Sequence, residues 1–189
     1  MGQRKESLAH AGETMLERTA RAMARLTSEI FVVGSPIDPI GQLPAGCRLI
    51  QDEQAYQGPL AGLVRAWSVC QEEGRESQWT LVCPCDHPGV TSSFLEQLAR
   101  HRTTDADAVA VASGDRLHPL PAIYHSNLFH AAVEQCRQPR SGLRHLLDIA
   151  RVVAVPADAF RGVDPTLASL VSVDTPAAWE QWWQSGDTA

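Results

Sequence analysis

Two carboxylates in this chain come just after short runs expected to form strands. The first run is Trp79–Cys83, inside the stretch W-T-L-V-C-P-C-D-H-P, and polarity switches abruptly at Asp86 before Pro88 stops continuation. A second short strand is expected at Cys47–Ile50, C-R-L-I, ending at Asp52. Aromatic and β-branched residues suit a pleated surface, and the near-continuous apolarity of the first run over so few residues reads as a strand buried on both faces. In an open α/β sheet, ligands bind beyond the carboxyl ends of the strands. Asp86 is therefore placed to meet a ligand or a hard cation such as Mg2+, which takes oxygen ligands. A plainer reading makes Asp86 the cap of the helix that follows Pro88.

A third feature is Gln57–Leu63, Q-G-P-L-A-G-L. Pro59 after Gly58 suits the first turn of a helix. Gly62 inside that turn costs about 1 kcal/mol against Ala, which is explained if a backbone or a ligand approaches closely there. The five cysteines, Cys47, Cys70, Cys83, Cys85 and Cys136, are odd in number and irregular in spacing. They form neither a disulfide framework nor a C-x-x-C metal site, and buried, inert thiols are expected.

These residues need a scaffold, and the pattern supplies one. Thr14 with Glu17 is a capping-box signature opening a helix whose apolar stripe is Met15, Leu16, Ala20, Met23 and Leu26, with Arg18, Arg21 and Arg25 outside it. Ile30–Val33 is a buried-type strand, and a helix runs from Pro59 to near Gly74. Trp79–Cys83 is expected as the central strand, and Thr91 caps the next helix, through Phe94, Leu95 and Leu98. Ala108–Ala112 is another strand, and His118–Tyr124 is extended because of its prolines. Helices starting at Ser126 or Asn127 and at Ser141 follow, then the strand Val152–Val155. A terminal helix capped by Thr175 places Trp179, Trp182 and Trp183 on one side, to dock on the body. Strands alternating with helices predict an α/β fold in three layers, a mostly parallel sheet with helices on both faces. Residues 1–189 contain no linker or repeat and read as one domain.

The formal net charge is −6 with no Lys/Arg cluster, which argues against general nucleic-acid binding. No apolar run approaches the roughly 20 residues of a membrane span. Met1–Leu8 lacks the apolar region of a secretory signal, so a cytoplasmic location is expected. Arg140, Arg144 and Arg151 form a basic set that a solvated helix face explains as well as a phosphate surface.

Several blocks, in order, resemble the molybdenum cofactor guanylyltransferases, the MobA-like members of the nucleotidyltransferase superfamily. Met1-Gly2-Gln3-Arg4-Lys5 resembles the end of the signature L-A-G-G-x-S-x-R-M-G-x-x-K, and Gly12 with Thr14–Arg18 resembles the block opening the first long helix. Asp52 followed by Gly58-Pro59-Leu60-Ala61-Gly62 resembles D…G-P-L-A-G, and Cys85-Asp86-His87-Pro88 resembles C-D-x-P. His118-Pro119-Leu120 with Tyr124 resembles the family's later extended segment, and Val173-Asp174-Thr175-Pro176 resembles N-x-N-T-P with Asp174 in place of an Asn. The pairing of G-P-L-A-G with C-D-x-P is the specific part.

The resemblance implies a Rossmann-like sheet of the nucleotide-diphospho-sugar transferase type. It also implies an enzyme that takes GTP and molybdopterin, attaches GMP to the pterin's phosphate and releases pyrophosphate. By matching position, Asp86 would hold Mg2+, Lys5 would contact the nucleotide phosphates as a point charge, and Asp52 and Gly62 would lie in the nucleotide site. It implies no nucleic-acid or membrane partner, and transient contact with molybdoenzymes or cofactor-biosynthesis proteins. The family's first strand and glycine-rich loop precede the Met-Gly at which this sequence opens. That departure implies either a start upstream or a truncated, catalytically impaired binding relative whose sheet loses a central strand. The loop also reads the base, so a molybdopterin cytidylyltransferase is the alternative, although G-P-L-A-G leans toward guanine.

Overall fold

The computed structural model describes residues 9–10, 12–37, 40–52, 57–75, 77–138 and 141–184. Strand β1 (Ala9–His10) turns back at Gly12, φ +85°, to pair antiparallel with β2 (Glu13–Thr14). Helix α1 (Met15–Met23) starts there with the expected capping box. Thr14 Oγ1 accepts from the Glu17 amide at 3.1 Å, and a Glu17 carboxylate oxygen accepts from the Thr14 amide at 2.8 Å. Strands β3 (Ile30–Gly34) and β4 (Cys47–Gln51) pair in parallel. Helix α2 (Pro59–Glu72) then leads to β5 (Trp79–Val82), α3 (Ser92–Ala99), β6 (Ala108–Ser113) and β7 (Arg116–His125). The chain closes with α4 (Phe129–Cys136), α5 (Leu143–Ile149), β8 (Val152–Pro156) and α6 (Pro176–Gln184).

The larger sheet has the order β5-β7-β6-β8. β6 and β8 are parallel, while β7 is antiparallel to both β5 and β6. Three of its four strands thus point one way, as an α/β sheet of mostly parallel strands requires. β7 is the exception, because Gly114, at φ +58°, lets the chain turn straight back after β6 instead of crossing over through a helix. The expectation of an extended segment at His118–Tyr124 is met, but as an interior sheet strand.

Period-two alternation sends β6 and β7 side chains to two cores. Ala108, Ala110, Ala122 and Tyr124 face Leu60, Leu63 and Trp67 of α2, Ala132 of α4, and Leu143, Leu146 and Leu147 of α5. Val109, Val111 and Ile123 face Phe94, Leu95 and Leu98 of α3, with Ala22 and Phe160. Three alanines and Tyr124 on the first face receive α2, α4 and α5, while valine and isoleucine line the other face. Helices therefore cover both faces, the three-layer arrangement.

Two local expectations need correction. Trp79–Cys83 does not form a doubly buried central strand. β5 ends at Val82, is half-buried throughout, and among the described residues pairs only with β7. Ser141 does not cap α5 either, since the cap position is Gly142 and no side-chain bond is made there.

Candidate functional site

Helix α2 joins the β3–β4 pair to the larger sheet. Its first turns lie against β3, where a Cβ on Gly62 would meet Val33 Cγ1 at 3.4 Å. Five residues on, Trp67 Nε1 donates to Thr80 Oγ1 of β5 at 2.8 Å. The separation from Val33 is ordinary contact distance, so the packing of α2 on β3 does not by itself require the glycine for which the sequence suggested a close approach. Asp52 follows β4, and its amide donates to Gly34 O at 2.9 Å, extending the β3–β4 ladder by one step. Partial burial raises the Asp52 carboxyl pKa, and Arg65 works in the opposite direction.

Asp86 lies in the loop that leaves β5. The cap reading fails, because Thr91 caps α3 by accepting from the Phe94 amide at 3.1 Å. The loop's backbone is held from several sides. Asp86 O accepts from the Val173 amide at 2.7 Å and His87 O from the Val90 amide at 3.2 Å. Pro88 O accepts from Arg18 Nε at 2.6 Å, and Gly89 O from Ser169 Oγ at 3.0 Å. Four consecutive carbonyls are therefore bonded, three of them by segments far away in sequence. Asp164 in turn fixes the donor segment: its carboxylate accepts from the Ala168 and Ser169 amides, each at 2.9 Å.

The side chains around Asp86 are mostly sequestered. Asp86 and His87 expose 19% and 12% of their side chains, and Asp86 Oδ1 lies 3.9 Å from His87 Nε2. His87 Nδ1 lies 3.0 Å from Ser169 O.

His118 is brought to the same end of the sheet. Opposite β6, the register of β7 jumps from Ala122 to His118, looping out Pro119–Pro121. Tyr124 pins that bulge, its buried hydroxyl donating to Pro119 O at 2.7 Å. His118 Nε2 stands 2.9 Å from Ser113 Oγ. Burial, then Arg116 and His87, hold the His118 pKa below the usual histidine value, favouring a neutral ring.

The cysteines are free and half-buried. Burial pushes the Cys83 thiol far up, and the neighbouring Cys85 and Asp86 add to this, so Cys83 is no thiolate donor. Among the described residues, no group of three or more His, Cys, Asp or Glu is gathered to hold a metal. A partly exposed carboxylate such as Asp86 is of the ligand type Mg2+ takes, one or two carboxylates together with waters and substrate phosphates.

Not every sequence candidate converges. Lys5 and Arg140 lie outside the described residues. Arg151 is engaged by Asp107, whose carboxylate oxygens accept from Arg151 Nη2 at 2.7 Å and Nε at 2.9 Å. Arg18 was placed outside the apolar stripe, yet it is only 8% exposed. Its position three residues after Met15 and four before Ala22, both buried, is the signal that could have found it. Ser169 and Gly89 carried no comparable signal, because their roles come from long-range contact. Among the described residues, no helix is long and apolar enough to cross a membrane.

The model of the MobA-like NTP transferase domain matches residues 1–178. A probable molybdenum cofactor guanylyltransferase of Bacillus cytotoxicus is 24% identical over 164 residues, 83% of this chain and 78% of the relative. One of the same description from Mycobacterium avium is 28% identical over 165 residues, 87% of this chain and 78% of the relative. Among solved structures, molybdopterin-guanine dinucleotide biosynthesis protein A of Archaeoglobus fulgidus is similar with TM-score 0.74 at 19% identity, over 98% of this chain and 91% of that one. The 2-C-methyl-D-erythritol 4-phosphate cytidylyltransferase of Thermus thermophilus is similar with TM-score 0.65 at 18% identity, over 96% and 93%.

Proposed function

The chain belongs to the MobA-like NTP transferase family, and on that premise we propose that it is a molybdenum cofactor guanylyltransferase acting as one nucleotidyltransferase domain. A phosphate oxygen of molybdopterin attacks the α-phosphorus of GTP, the bond from that phosphorus to the bridging oxygen breaks, and pyrophosphate leaves. The products are the pterin–guanine dinucleotide and pyrophosphate. The observation that carries this reading is the C-D-x-P loop at the end of β5, with a partly open Asp86 on a backbone tied at four consecutive carbonyls. The relatives named as probable molybdenum cofactor guanylyltransferases support the substrate pair.

Each site residue then has a task. Asp86 holds Mg2+, which when bound neutralises phosphate charge and eases departure of pyrophosphate. Lys5 contacts the nucleotide phosphates as a point charge. Asp52 and Gly62 line the nucleotide site. The braced loop keeps Asp86 in position, so little reorganisation is needed as charge shifts. The neutral His118 ring adds no cation of its own. The enzyme works in the cytoplasm, with transient contact to molybdoenzymes or cofactor-biosynthesis proteins and none to nucleic acid or membrane.

The likeness to a cytidylyltransferase structure supports a second reading, transfer of CMP to molybdopterin. Calorimetric titration with Mg2+ and GTP, with CTP alongside and Asp86→Ala as control, separates the two. Mg2+-dependent GTP binding abolished by Asp86→Ala, followed by guanylyl transfer in an assay, is the expected result. CTP binding in its place moves the reading to the cytidylyl enzyme. No nucleotide binding by the folded chain rejects both in favour of a catalytically impaired binding relative.

A further inference from the structure

Arg18 is a charged side chain in a place where an apolar one would be cheaper. It is 8% exposed, and its guanidinium carbon stands 5.3 Å from the Trp182 ring centroid and 5.2 Å from that of Trp183. Burial lowers its pKa, working against the charge, and Glu13, with a carboxylate oxygen 3.7 Å from Nη1, works for it. Packing between tryptophans alone would be served by Met or Leu, with no desolvation cost. What Met or Leu cannot supply is a cation for Glu13 and the two rings and, alone among these contacts in reaching the Asp86 loop, the bond from Nε to Pro88 O at 2.6 Å.

We propose that Arg18 is a positioning residue for Asp86: it holds the loop two residues downstream of the carboxylate and ties it to the tryptophan face of α6. The geometry makes this a chain of contacts. Trp179 and Trp182 are buried and stack with ring centroids 5.8 Å apart, and Trp182 and Trp183 meet edge to face at 5.0 Å. This cluster includes Met15 and Val173, and the Val173 amide holds Asp86 O. The loop is therefore fixed on both sides of His87 by elements that meet in one apolar cluster. Helix α6 thereby becomes part of the site's support although it carries none of the proposed ligands.

The catalytic half of this inference rests on the reading of Asp86 given above, whereas the effect on the loop does not. The test compares the full chain with Arg18→Met, Arg18→Lys and, as a control, Arg25→Met, whose exposed side chain lies just beyond α1. Hydrogen exchange is followed by mass spectrometry in the peptide covering 85–90 and in a β6 peptide covering 108–112. Transfer is followed as a function of Mg2+ at saturating GTP. In Arg18→Met, exchange in the 85–90 peptide is expected to rise about tenfold while β6 stays unchanged. The Mg2+ activation constant should rise roughly tenfold. Arg18→Lys, which keeps a donor, should recover part of both, and Arg25→Met should match the parent.

Unchanged exchange in the 85–90 peptide overturns the proposal. So does an equal rise in both peptides, because Arg18 would then serve only general stability. If Arg18→Met does not fold, the same two readouts on Arg18→Lys decide. A parent chain that transfers no nucleotide overturns the enzyme reading, and the exchange comparison still decides whether Arg18 sets the loop.

Discussion

A Cβ on Gly89 would lie 2.4 Å from the carbonyl oxygen of Ala168, so these two residues meet backbone to backbone. This contact brings Ser169 within reach of Gly89 O. Gly89→Ala forces the Asp86 loop and the 164–173 segment apart. Overpacking of this kind costs about 1–3 kcal/mol. The expected outcome is a melting temperature lower by several degrees. Transfer activity should also fall, even when assayed well below the new midpoint.

Gly62 offers the opposite experiment. Its Cβ position meets Val33 only at ordinary contact distance, and its backbone is helical. Ala is the better helix former by about 1 kcal/mol. Gly62→Ala should therefore leave the melting temperature unchanged or raise it. If Gly62 lines the nucleotide site, the KM for GTP rises severalfold in the same variant. A raised midpoint with unchanged KM would leave Gly62 as a packing residue and remove it from the site.

Asp107 gives a pH signature. Bonds from Arg151 come first among the causes that hold its carboxyl well below the usual range, with a further one from Asn127. A carboxyl depressed by folding contributes stability that is complete above its unfolded pKa and is lost as pH falls toward the folded value. Asp107→Asn should cost about 2 kcal/mol at neutral pH. The gap in melting temperature between parent and variant should stay constant from pH 8 to about 5 and narrow below about 4. A gap that does not change with pH would mean the ion pair contributes little.

Tyr124 anchors the bulge that presents His118. Burial pushes its pKa far up, so the phenol remains a donor across the working range. Tyr124→Phe keeps the buried ring and removes the bond to Pro119 O. A loss of roughly 1–2 kcal/mol in denaturant unfolding is expected. A variant as stable as the parent would show that the Pro119 carbonyl finds another donor.

Local signals in the sequence were followed closely. The capping box at Thr14 and Glu17 and the cap at Thr91 appear as bonds between residues three apart. The carboxyl-end placement of Asp52 and Asp86 also follows from reading the short runs before them as strands. What the sequence did not show depends on distant partners. The antiparallel course of β7 is a different case, because the Ser113-Gly114-Asp115 turn that sets it is local, and the residues between the two strands are too few for a helical crossover. The burial of Arg18 depends on tryptophans more than 160 residues away, and charge alone argued for solvent. Lys5 carries its role by resemblance only.

The bonds to Pro88 and Gly89 span 70 and 80 residues, and this shapes how the molecule reaches its working form. Contacts between near neighbours, such as the β6–β7 hairpin, close quickly, whereas distant ones must wait for the chain between them to be ordered. The setting of Asp86 is thus expected to be among the later features to form during refolding. Secondary structure should return before nucleotide binding does, leaving a folded-looking but incompetent species in the interval.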